Sequence, residues 1–87
     1  MQLFRSKRFE KQFAKLSSKA KEKATERLLI FVVNPFDSIL QNHSLTGVFL
    51  GCRSISITGD IRAIYLEVDR DTAHFLLIGT HHELYGK

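Results

Sequence analysis

Three stretches of period-two sequence fill the second half of this chain: VFLGCRSISIT at 48–58, IRAIYLEV at 61–68 and TAHFLLIG at 72–79. Only Gly59-Asp60 and Asp69-Arg70-Asp71 separate them. Connections that short join only antiparallel neighbours, so the three stretches must form a meander. A meander has an apolar face to bury, and whatever precedes it has to cover that face.

The first half supplies the cover. Gln2–Arg5 reads as a short strand, and from Ser6 the period becomes helical. Ser6 can cap a helix carrying Phe9, Phe13 and Leu16 on one side. Ser17-Ser18 breaks that run and caps a second helix, with Ala20, Ala24, Leu28 and Phe31 or Val32 on its apolar face, ended by Asn34-Pro35. Residues 35–47 read as a connection holding one helical turn, and His81–Leu84 as a closing turn. The expected fold is α+β, a single domain over 1–87. An N-terminal strand and a helical hairpin pack on one face of an antiparallel sheet, and the other face stays open. On the first long strand Ile55 and Ile57 point to the helices, while Ser54, Ser56 and Thr58 make a shallow hydroxyl floor on the open side. Arg53 shares the phase of the isoleucines, so it is either redirected by a bulge near Gly51 or a partly buried structural arginine.

Charge is unevenly spread. Nine of the thirteen basic residues lie in the first 27 positions with three acids, giving that segment +6 and the remainder −2. A basic hairpin of this kind, with Lys11, Lys15 and Lys19 on it, suits a phosphate backbone or an acidic protein. It also suits a merely solvated face. The longest apolar run, LLIFVV at 28–33, is too short to span a bilayer, and the charged N-terminus has no signal-peptide character. A cytoplasmic protein with no membrane partner is expected. The lone Cys52 excludes an internal disulfide.

No metal or cofactor motif is present. His81 and His82 are adjacent, and neighbouring side chains diverge where a helical metal pair needs a spacing of four. The remaining polar residues with chemistry are His43, Arg53, Asp60, Arg62, His81 and Tyr85. Such a set suits metal-free RNA cleavage: a base takes the ribose 2′-hydroxyl proton, an arginine stabilises phosphate charge, and an acid protonates the leaving 5′-oxygen. Each residue also has an ordinary structural use: loop histidine, turn aspartate, surface ion pair or apolar plug.

Taken in order, HSLTGVFLGCRSISITGDIRAIYLEV followed by HFLLIGTHHELYG resembles the RelE superfamily of bacterial toxins, and within it the YafQ-like branch. The matching elements are His-x-Leu-x-Gly, Gly-x-Arg, an Asp…Tyr strand, and a closing Gly-Thr-His-x-x-Leu-(Phe/Tyr)-Gly. They cover the last half of the chain; the first half matches in layout only. The resemblance implies a ribosome-dependent endoribonuclease, an mRNA interferase of a type II toxin–antitoxin module. Its partners would be a cognate antitoxin, messenger RNA and the ribosome. It implies catalytic roles for His43, Asp60, Arg62 and His81. Arg53, Ser56, Tyr85, Lys11, Lys15 and Lys19 would contact substrate. Ser56 stands where the branch has a second histidine, Ile61 where it has tryptophan, and Leu77 where it often has arginine, so a weakened nuclease is implied. The rival readings are a ParE-like toxin of the same fold that acts on gyrase through protein contacts, a non-catalytic relative that only binds antitoxin or RNA, and an unrelated basic RNA-binding domain.

Overall fold

In a computed structural model, which describes residues 1–86, five strands form one sheet in the order β1-β5-β4-β3-β2. The strands are β1 (Gln2–Arg5), β2 (His43–Ser44), β3 (Cys52–Ser56), β4 (Ile61–Asp69) and β5 (Thr72–Thr80). The helices are α1 (Lys7–Ala14), α2 (Ser18–Val33) and α3 (His81–Tyr85). The β3-β4-β5 meander is antiparallel, as its short turns require. β1 joins the β5 edge in parallel, which makes the sheet mixed rather than purely antiparallel.

Both long helices start where serine permits. Ser6 Oγ accepts from Phe9 N at 3.0 Å and Ser17 Oγ from Ala20 N at 3.1 Å. Their apolar faces, Phe9 on α1 and Ala20, Ala24, Leu28 and Phe31 on α2, are buried. All but Ala20 meet Ile55, Ile57, Ala63, Tyr65, Ala73, Phe75 and Ile78 of the sheet region in one core.

β5 does not alternate strictly, and the reason matters for the site. Tyr65 pairs with Phe75 and Ile64 with Leu77, which leaves Leu76 without a partner. This bulge shifts the phase, so that Ala73, Phe75 and then Ile78 face the core. The bulged stretch is tied back to α1, because Ser6 Oγ donates to Leu76 O at 2.9 Å. Beyond the bulge, Leu77 and Gly79 turn to the face away from the long helices.

Two expectations need correction. Residues 48–51 are not strand: a 3-10 turn spans Gly47–Phe49, and Gly47 and Gly51 take positive φ angles of 66° and 94°. The far face is also not open at its centre. Ser54 is fully buried and Ser56 nearly so. Ile64 and Leu77 share Ser54's row, so β4 and β5 are apolar on both sides there and that surface has to be covered.

Candidate active site at the C-terminal lip

The cover is α3. It starts directly where β5 ends, with Thr80 as its cap: Thr80 Oγ1 accepts from Glu83 N at 3.1 Å, and Glu83 Oε1 accepts from Thr80 N at 2.8 Å. Gly79 lets the helix lie close to the sheet. A methyl group there would stand 2.9 Å from Glu83 Oε1 and 3.6 Å from Leu84 Cδ2. The Thr80 hydrogen bonds hold the Glu83 carboxyl below its usual pKa of 4.5, helped by the charges of His82 and Lys15. A depressed carboxyl stabilises the fold above its unfolded value and loses that contribution as pH falls through the lowered one. We therefore expect amide-exchange protection in α3 to fall on acidification below about pH 4.5. In Glu83→Gln the same protection should not change with pH.

α3 brings the lip together. His81 N donates to Asp60 O at 3.2 Å, joining the helix start to the β3–β4 turn. That turn is fixed by Thr58, whose Oγ1 accepts from Asp60 N at 3.2 Å and Ile61 N at 3.0 Å. The side chains of Asp60 and His81 are both exposed. The His81 ring lies 4.6 Å from that of Tyr85, which meets Phe49 edge-on at 5.7 Å.

Behind the lip, Ser56, Arg62 and Gly79 form one cross-strand row on the far face. Arg62 is half-buried, and its guanidinium forms no hydrogen bond or ion pair among the described residues. Ser56 Oγ donates to Thr58 O at 3.1 Å, so this hydroxyl braces the turn. His43 stands on the same face beside Ser54, one row away at the β2 edge. Rows are about 7 Å apart along a strand. Asp60, Arg62 and His81 thus sit together, with His43 one row from Arg62 and two strands over, at the β2 edge.

No protein-family model matches the chain, and no curated protein matches it in sequence. Solved structures do match it. A copper-bound L66S mutant toxin from Helicobacter pylori is 28% identical, covering 97% of this chain and 98% of that one, with a TM-score of 0.71. The Escherichia coli DinJ–YafQ complex is 25% identical over 97% of both chains, with a TM-score of 0.70. The intact E. coli RelBE toxin–antitoxin complex is 21% identical over 91% and 94%, with a TM-score of 0.69. The fold is that of the RelE/YafQ-like toxin superfamily.

Within this RelE/YafQ-like frame one candidate moves away from the site. Arg53 lies on the core side of β3, opposite Tyr65. Its Nε donates to Asn42 Oδ1 at 2.8 Å, and its guanidinium covers the Phe36 ring at 5.2 Å. That is the structural alternative: the side chain points away from the lip and is not available to substrate bound there. Phe49 is the residue that sequence reasoning missed. It was assigned to a strand, and the flanking Gly47 and Gly51 were the signal that the chain turns there instead.

The lysines are exposed. Lys15, just past α1, is near enough to Glu83 for its charge to act on that carboxyl. Lys19 shares an open hollow with Lys21, Lys23, Ser17 and Thr58. Because Thr58 belongs to the Asp60 turn, this hollow links the basic start of α2 to the lip. Lys11, one turn before Lys15 on α1, extends the same basic surface.

Proposed function

We propose that this protein is the toxin of a toxin–antitoxin module and acts in the cytoplasm as a ribosome-dependent, metal-independent endoribonuclease on messenger RNA. The observation that carries the reading is the lip itself. Asp60 and His81, two groups able to carry protons, are exposed and joined through a backbone hydrogen bond, beside the half-buried Arg62, which has no ion-pair partner among the described residues. Among the described residues, neither the Asp60 nor the Arg62 side chain is tied into an ion pair.

In the proposed reaction a base removes the 2′-hydroxyl proton, and the 2′-oxygen attacks the adjacent phosphorus. Arg62 stabilises the charge gathering on the phosphoryl oxygens. The bond to the 5′-oxygen breaks as an acid protonates it, leaving a 2′,3′-cyclic phosphate and a 5′-hydroxyl. Asp60, His81 and His43 are the groups that can take the two proton roles. Lys11, Lys15 and Lys19 hold message or ribosomal RNA by its phosphates. Tyr85 offers a ring edge to a base. Ser56 in place of a histidine and Ile61 in place of a tryptophan remove one proton carrier and one stacking surface, so a modest rate is expected. The partner is a co-expressed antitoxin, supported by the two toxin–antitoxin complexes among the similar structures.

The test is induced expression in a bacterial host with mapping of transcript 5′ ends. Growth arrest with new, codon-phased 5′ ends is expected. Arrest without new ends would replace the nuclease with a protein-targeting toxin, and no arrest would leave only binding to an antitoxin or RNA.

A further inference from the structure

His43 sits in a strand of only two residues, which is too little pairing to aim an imidazole. Its orientation comes from what precedes it. Gln41 is the one non-glycine with positive φ among the described residues, at φ 48° and ψ 44°. It closes the 3-10 turn Ser38–Leu40, and its carbonyl oxygen lies 3.0 Å from His43 Nδ1. A carbonyl only accepts, so Nδ1 must carry the hydrogen. The free Nε2 is then the atom left to exchange protons with a substrate.

Such a backbone conformation persists only if its surroundings impose it. Asn42, between the two residues, does so. Its Nδ2 donates to Pro35 O and to Tyr65 Oη, each at 2.8 Å, and its Oδ1 accepts from Arg53 Nε at 2.8 Å. All the partners are held in turn. Tyr65 is 2% exposed between Phe31 and Phe75, and Arg53 lies against Phe36. From the other side Arg27 donates to Ile39 O at 3.0 Å, pinning the 3-10 turn.

We propose that Asn42, clamped by Arg53 and Tyr65, is a positioning residue for His43: it holds the Gln41 carbonyl on Nδ1 and so presents Nε2 as the proton-transfer atom. The inference rests on the nuclease reading for its catalytic consequence but not for its geometry. It also gives Arg53 a role in the reaction without contact with RNA.

The test pairs nitrogen NMR of the His43 ring with single-turnover cleavage of ribosome-bound message, on the full chain. Wild type should show the Nδ1–H tautomer. In Asn42→Ala the tautomer preference should be lost, and kcat should fall about tenfold to a hundredfold with KM little changed, as expected for a misplaced catalytic group. Asn42→Asp keeps the side-chain volume and the acceptor for Arg53 but sets an oxygen against the Pro35 carbonyl. It should behave the same way if Asn42→Ala does not fold. Arg53→Ala should lower kcat rather than raise KM. The Nε2–H tautomer in wild type, an unchanged tautomer and kcat in the Asn42 variants, or an Arg53→Ala effect confined to KM would each overturn the proposal. If wild type cuts no message, the nuclease reading alone fails, and the tautomer comparison still decides the positioning role.

Discussion

His81→Ala is expected to slow cleavage of ribosome-bound message by about a hundred- to ten-thousand-fold, the range lost with one general acid or base. The fold should not change. The side chain is exposed, and the bond that ties His81 to Asp60 runs from the backbone, which alanine retains. Alanine is also well suited to the first turn of a helix. What leaves the structure is the ring and its contact with Tyr85. His82→Ala is the control: that histidine is equally exposed and one position on, but has no link to Asp60. It should cleave near the wild-type rate and bind antitoxin as well. Equal rates for the two variants would remove His81 from the chemistry. A matching loss in Asp60→Asn, which keeps the turn hydrogen bonds but cannot carry a proton, would place both residues in the chemistry.

The closing turn at 81–84 and the Gly59-Asp60 turn were legible because their determinants are local; the structure adds that Thr80 and Glu83 cap the closing turn and Gly86 ends it. The helix starts at Ser6 and Ser17 and the stop at Asn34 were legible for the same reason: caps and breakers act within a few residues. The closure of the far face was not. It depends on Leu76 being left out of register, which moves Gly79 from the core side to the side where α3 lies. A bulge is a decision between two strands, and neither carries it alone. Arg53 shows a second limit. Strict alternation put it on the core side, but only the partner across 11 residues, Asn42, explains how a guanidinium can stay there. Resemblance to a family pattern made it look like a substrate contact because a motif records position and not direction. The 48–51 segment failed more simply: apolar residues suggested strand, while Gly47 and Gly51 required a turn.

Phe31→Ala should cost about 3–5 kcal/mol, the range for removing a fully buried phenylalanine. Phe31 is completely buried, and its ring meets Tyr65 at 4.8 Å and Phe75 at 5.0 Å, both edge-on. Domains have about 0.05–0.15 kcal/mol of stability per residue, so this one has roughly 4–13 kcal/mol to lose. The substitution therefore removes between a quarter and all of it. Urea unfolding should show a much lower midpoint at unchanged slope, or no folded baseline at all. A shift worth less than about 1 kcal/mol would mean that the core collapses around the gap and that the ring contacts matter little. Phe31→Leu, which keeps most of the volume, should cost under about 1.5 kcal/mol and leave a folded chain. That variant tests more than packing. Phe31 supports the face of Tyr65, and the Tyr65 hydroxyl accepts from Asn42. If the core is what aims His43, Phe31→Leu should loosen its ring while the lip, fixed by Thr80 and Asp60, stays in order. Cleavage would then fall through His43 alone, with the α3 amides as protected as in wild type.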